Sequence, residues 1–224
     1  MKPEQIKTYY KRNLPHIQPI GATFFVTFRL KGAIPRVKIW QLKTSFDDKI
    51  ANIRNSKEED KDVLIYAERK RFFAQYDALL DKCNSGPIYL ANPEIAQIVS
   101  KELHRFDGHL YDLIAYSIMP NHVHVLFNTA CQIPDGLDIS LWEMIEFEPL
   151  NSIMKRIKGP TAVYANRKLN RSGQFWQRES YDHYIRNAKE YNNVVAYILD
   201  NPVKANLVNN WKNHSFTYVV ESAK

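Results

Sequence analysis

The chain has 224 residues and 45% hydrophobic content, enough to bury one core of ordinary domain size, and its two cysteines, Cys83 and Cys131, are too few for a disulfide framework and lack the spacing of a zinc ribbon. No apolar run approaches the ~20 residues of a membrane span, and the opening stretch MKPEQIKTYYKRNLPH lacks the apolar core of a signal peptide. A cytoplasmic protein of one domain, residues 1–224, is the expectation.

The net charge of +7 is unevenly placed: residues 1–40 hold eight basic and one acidic residue, residues 151–190 hold nine and three, and residues 128–150 hold five acidic residues and no basic ones. Such blocks suit a face that meets a polyanion, although a solvated surface charged without purpose gives the same count.

After a basic arm punctuated by proline, GATFFVTFRL (21–30) reads as a strand rich in β-branched and aromatic residues. From Pro35 onward WQLKTSFDDKIANI (40–53) and DKDVLIYAERKRFFAQYDALLDK (60–82) carry apolar residues at helical spacing. Their charges nearly cancel, so this helical hairpin, about 36–86, is expected to pack or extend the molecule rather than bind a polyanion. Asn92 makes an N-cap, with Pro93 at the first helical position and Ile95, Ile98, Val99 and Leu103 on one stripe.

HLYDLIAYSIMP (109–120) and HVHVLFN (122–128) read as two antiparallel strands joined at Pro120-Asn121. The helix LNSIMKRIKGPTAVYANRKLN (150–170) should be kinked or interrupted at Gly159-Pro160. RSGQFWQRESYDHYIR (171–186) reads as one or two short strands. Asn187 and Glu190, at capping-box spacing, open a final helix with Tyr191, Val194, Val195, Ile198 and Leu199 on one stripe, ended by Pro202. The order of elements fits an α+β fold of the ferredoxin-like split βαβ type, an antiparallel sheet with helices on one face, better than a doubly wound parallel sheet.

Two features carry chemistry. In the strand reading His122 and His124 share one face and Val123 and Val125 the other, so two imidazoles stand side by side; they are either satisfied strand histidines or a pair of ligands. On the last helix Tyr197 lies about 120° from the centre of the apolar stripe and Asn201 follows one turn later on nearly the same side. A phenol and a carboxamide on one rigid element can supply a nucleophile and an oxygen ligand, but surface tyrosines on helices are common.

Four stretches taken together, YSIMPNHVHVLF, IMKRIKGPTA, GQFWQRESYDHYIRN and VVAYILDNPVKANLV, with PHIQPIGATFFVTFRL before them, resemble the REP-associated tyrosine transposases, a branch of the single-tyrosine HUH transposases. The likeness covers roughly residues 12–30 and 90–215 and leaves the helical hairpin as an enlargement. The resemblance implies an HUH nuclease fold, with His122 and His124 as the metal-binding histidines, Asn201 completing metal binding and Tyr197 as nucleophile. Relatives more often carry Gly where Asn206 stands in NPVKANLV, a departure that concerns the chain turn rather than the chemistry.

It further implies a metal-dependent, single-strand-specific DNA endonuclease and strand transferase. Such an enzyme cleaves at hairpin-forming repeats through a 5′-phosphotyrosine intermediate, using Mg2+ or Mn2+ and no nucleotide cofactor, as monomer or homodimer. Lys155, Arg156, Lys158, Arg178, Arg186 and Lys204 then become candidate phosphate contacts, His183 a supporting or DNA-contacting residue, and Arg12 a reader of bases beside the hairpin. Two rivals remain. One is a DNA-hairpin-binding regulator without turnover. The other is a zinc hydrolase, disfavoured because no third strong protein ligand follows His124 in sequence and only His183 offers a third imidazole.

Overall fold

The computed structural model describes residues 7–11, 15–82, 86–134, 136 and 146–223. The N-terminal arm, expected to be irregular, instead contributes two antiparallel strands, β1 (Lys7–Lys11) and β2 (Pro15–Pro19), while Arg12 lies outside the described residues. β3 (Thr23–Arg29) follows, and then the expected hairpin of α1 (Arg36–Asn55) and α2 (Lys61–Lys82), which has its own small apolar contact among Phe46, Ile50 and Phe72.

α3 (Pro93–His104) begins as the sequence dictates: the Asn92 side chain accepts a hydrogen bond of 2.9 Å from the Glu94 amide, satisfying one of the donors a helix start leaves bare. β4 (Asp112–Ile118) and β5 (His122–Asn128) form the antiparallel hairpin across Pro120-Asn121. α4 (Leu150–Lys168), β6 (Tyr181–Tyr184), α5 (Ala188–Lys204) and β7 (Thr217–Val219) complete the chain.

The main sheet is antiparallel throughout, in the order β6-β3-β5-β4-β7. Apart from β7, an additional edge strand, this is a ferredoxin-like split βαβ arrangement, with β3-α3-β4 and β5-α4-β6 as its two units. The helical hairpin is inserted in the first crossover, between β3 and α3.

Alternation along the strands gives the sheet two buried faces. Phe24, Val26 and Phe28 of β3 and Val123, Val125 and Phe127 of β5 meet Ile95, Val99 and Leu103 of α3 and Ile153 and Ile157 of α4 in the larger core. The intervening residues Phe25 and Leu126, with Ile114 and Ala115 of β4, meet Val195 and Ile198 of α5, and Phe73 of α2 packs beside them. The expected single helical face therefore holds for the two crossover helices, whereas α5 and the end of α2 cover the opposite face. The reason is in β3 and β5, where residues of both parities are apolar, so both faces must leave water.

Neither Gly159-Pro160 nor Pro202 interrupts its helix. α4 runs through Pro160 because its buried stripe, Leu150, Ile153, Met154, Ile157, Thr161 and Ala165, continues on both sides. Beside it the Thr161 hydroxyl donates to the Ile157 carbonyl at 2.8 Å and accepts from the Trp176 indole at 2.9 Å, tying the helix to the segment before β6. α5 likewise passes Pro202 and ends at Lys204. The chain then turns at Asn206, whose φ of +55° is the left-handed conformation that Gly and Asn tolerate best.

Candidate metal and nucleophile site

β5 presents His122 and His124 on the α5 side of the sheet, and both are buried. Their Nε2 atoms lie 2.9 Å apart, so both rings point at one place. The outer nitrogens are held. Asn121 donates through Nδ2 to the Leu80 carbonyl at the end of α2, 2.9 Å, which leaves its Oδ1 to accept from His122 Nδ1 at 2.6 Å. With that proton on Nδ1, His122 keeps a lone pair at Nε2 for the site. Thr27 Oγ1, on the adjacent strand in register with His124, sits 2.8 Å from His124 Nδ1. Carboxamide and hydroxyl partners of this kind fix the ring orientation of metal-ligating histidines.

The third element of the site comes from the inserted hairpin, which the sequence reading expects to pack or extend the molecule. Asp77 of α2 is buried against the histidines, with Oδ1 3.3 Å from His124 Nε2, and one ligand atom from each of Asp77, His122 and His124 falls within 4.8 Å of the others. A signal was present. Asp77 stands four residues after Phe73 and three before Leu80, a carboxylate on the apolar stripe of its own helix.

From α5, Tyr197 reaches the same place: its ring is 5.3 Å from that of His124 and 5.9 Å from Phe25, and its hydroxyl donates to Asp77 Oδ2. Asn201, one turn further on, is buried. The sequence reading had left both side chains outside the core; the structure buries Asn201 and packs one flank of Tyr197 on Phe25 and Phe73. Tyr197 and the two histidines of one chain meet in this structure.

The electrostatics follow from burial. Burial, reinforced by the proximity of Asp77, pushes the Tyr197 phenol well above its ordinary pKa. Burial, with His124 beside it, holds His122 down at about 3, so the ring is neutral at pH 7. For Asp77, burial favours the acid, but the imidazoles of His124 and His122 and the phenol of Tyr197 outweigh it and hold the carboxyl at about 2.

Does this donor set fit a divalent cation? Two observations say that it does. Asn201 Oδ1 is buried without a hydrogen-bond donor, and Asp77 Oδ1 has only His124 Nε2 at 3.3 Å, an arrangement that is costly unless something positive is bound. Two imidazole nitrogens converging at 2.9 Å repel through their lone pairs unless a proton or a cation lies between them. His122, His124, Asp77 and Asn201 together offer two nitrogen and two oxygen ligands, and Asp77 removes the argument that no third strong protein ligand is at hand.

The remaining sequence candidates are spread around this centre. Lys204 has its Nζ 5.3 Å from the Tyr197 ring centroid. His183 stands outside the metal-competent cluster: on β6 it bonds Glu190 Oε1 at 3.0 Å, and Glu190 also caps the start of α5 by accepting from the Arg186 amide. Arg186 stacks over Tyr66 at 4.1 Å. Lys155, Arg156 and Lys158 belong to α4, which covers the other face of the sheet from the histidines. There Arg156 pairs with Glu148, and Lys158 ties α4 to the carbonyls of Gln177 and Arg178 at 2.8 and 3.1 Å. Lys155 and Arg178 are exposed.

No protein-family model matches the chain. Two curated proteins of Haemophilus influenzae do: one described only as an uncharacterized protein, 30% identical over 95 residues (39% of this chain and 52% of that protein), and one named "Putative REP-associated tyrosine transposase", 29% identical over 109 residues (47% and 59%). The chain thus spans little more than half the length of the curated relatives it matches. Among solved structures, a REP-associated tyrosine transposase bound to a REP hairpin aligns over 94% of this chain and 81% of that one, at 17% identity and a TM-score of 0.47. No helix among the described residues is long and apolar enough to cross a membrane. The family that this chain resembles, by its own motifs and by the name of a curated relative, is that of the REP-associated tyrosine transposases.

Proposed function

We propose that the protein is a transposase-like, hairpin-binding DNA enzyme that cleaves single strands with Tyr197 as nucleophile and a divalent cation, Mg2+ or Mn2+, held by His122, His124, Asp77 and Asn201. The observation that carries the reading is the meeting of the Tyr197 phenol with the buried carboxylate of Asp77 and two converging buried imidazoles. A bound cation would polarise a non-bridging oxygen of the scissile phosphate and offset the negative charge of Asp77.

The chain's own residues do the rest. Asp77 Oδ2 holds the Tyr197 hydroxyl in place, and a carboxyl kept near 2 is too weak a base to retain the phenolic proton, so its part is positioning and the proton passes on to solvent. As the Tyr197 oxygen bonds to phosphorus, the bond from phosphorus to the 3′ oxygen breaks and that oxygen takes up a proton as a 3′-hydroxyl. The 5′-phosphotyrosine keeps the energy of the ester, so a later strand can reverse the step without a nucleotide cofactor. The packing of Phe25, Phe73 and His124 about the phenol keeps the nucleophile from wandering. On this reading Lys204, beside the Tyr197 ring, meets a phosphate next to the scissile one, and Lys155, Arg156, Lys158, Arg178, Arg186 and His183 make more distant contacts with the hairpin.

Labelled single-stranded hairpin DNA from the region flanking the gene, incubated with the protein and Mn2+ or Mg2+, tests this on a denaturing gel. A covalent adduct that chelator and Tyr197→Phe both abolish is expected. Tight binding with no adduct for any hairpin or metal would instead assign the chain to hairpin-binding regulators, and elemental analysis returning zinc with no DNA binding would assign it to hydrolases.

A further inference from the structure

A second concave surface adjoins the metal site and belongs to neither the sheet nor the hairpin alone. It is a cleft of about 370 Å³ between α1, α2 and the segment leading into β6, lined by Arg29, Lys31, Arg36, Trp40, Lys43 and Tyr76 among others. Four of its residues are cations, and Glu179 is its one carboxylate. That balance favours an anion.

Arg29 is the telling residue. It is only 4% exposed, and the partners of its guanidinium are neutral: Nε donates to the Tyr76 hydroxyl at 2.7 Å and a terminal nitrogen lies 3.4 Å from the Leu30 carbonyl. With neutral hydrogen-bond partners on this guanidinium and three further cations lining the same cleft, an incoming anion would be attracted there. Arg29 also stands opposite His122 in register, on the sheet face that holds the metal donors, while Tyr76 immediately precedes Asp77. Whatever enters the cleft therefore meets Arg29 on the side of the sheet that carries the histidines.

At the rim, Trp40 is 67% exposed although it is the largest apolar side chain of α1, and Arg36 and Lys43 flank it at one-turn spacing. An open indole between cations is the surface on which unpaired bases stack, with sequence-tolerant energy, while neighbouring cations take the backbone.

We infer that this cleft binds an unpaired nucleotide next to the cleaved phosphate, with the phosphate against Arg29, Lys31 and Lys43 and the base on Trp40. The inference rests on the proposed reading of the site. It gives the inserted hairpin a role in substrate selection: single-stranded flanks are held and fully paired ends are not.

The test compares a labelled DNA stem-loop bearing a short oligothymidine tail, on either end, with the same stem-loop blunt, by fluorescence anisotropy on the full chain. Wild-type protein is expected to prefer a tailed form by about fivefold or more, and Trp40→Ala and Lys43→Ser to lose that preference while binding the blunt form as before. Both substitutions are on α1 and away from the core, and a bromodeoxyuridine-substituted tail should photo-crosslink to Trp40 in the wild type. An equal preference in wild type and variants, or a Trp40→Ala effect confined to self-association in sedimentation, overturns the inference. Failure of wild-type protein to bind either DNA overturns it together with the proposed function, whereas equal binding of both forms with adduct formation intact overturns the cleft alone.

Discussion

The two faces of β5 differ by a single step in register and by everything in role. Val123, Val125 and Phe127 are buried under α3 and α4 in the larger core; His122 and His124, equally buried, lie on the other face with their Nε2 atoms converging, His124 beside Asp77 and the Tyr197 ring. One face contributes by excluding water and the other by withholding hydrogen bonds that a metal and a phosphate would complete. A strand that is central in the sheet can serve both ends because its backbone is already satisfied by β3 and β4.

The sharpest contrast comes from substituting neighbours on opposite faces. His124→Ala should reduce adduct formation by at least about a hundredfold while thermal unfolding stays cooperative. Phe127→Ala should cost about 3–5 kcal/mol in urea unfolding, from lost transfer energy and an unfilled cavity beside Tyr111. If His124→Ala instead unfolds the chain as Phe127→Ala does, the division between the two faces is wrong.

Smaller effects sharpen the picture. Asn121 touches no proposed ligand position itself but ties His122 to the Leu80 carbonyl, so Asn121→Ala should weaken Mn2+ affinity by about 10–100-fold in calorimetry with the fold retained. The pH dependence has a definite sign. His122 is held neutral down to about 3 in the folded chain, whereas an unfolded histidine protonates near 6.5. Above the unfolded value the ring contributes no pH dependence; as pH falls below it the unfolded state takes up the proton first and stability declines, by at most about 1.4 kcal/mol per pH unit from this group. Metal-free wild-type protein should therefore lose more stability between pH 6.5 and 4.5 than His122→Asn does, the two melting curves being compared at each pH.

Much of this was legible in the sequence. Strict alternation put His122 and His124 on one face, Asn92 and Asn187 marked helix starts that the structure caps as expected, and helical spacing put Asn201 below Tyr197. Pattern could not say which side of the sheet α5 covers, because β3 and β5 are apolar in both parities. β7 and the β1-β2 pair were missed because they are short and, in the N-terminal case, interrupted by prolines that read as loop. Asp77 is the instructive omission. Its charge was counted with the solvated ones of a near-neutral hairpin, although its place on the stripe between Phe73 and Leu80 aimed it inward; only the packing of α2 on the sheet reveals what it meets.

The central claim, that hairpin and sheet share one cation site, is tested most directly by titrating Mn2+ into the full-length protein and following bound ion by electron paramagnetic resonance, with Asp77→Ala alongside. A single Mn2+ per wild-type chain, with affinity falling by at least about tenfold in Asp77→Ala and nitrogen hyperfine coupling from the imidazoles, is the predicted result. Unchanged affinity in Asp77→Ala, or no stoichiometric Mn2+ in the wild type, would contradict it.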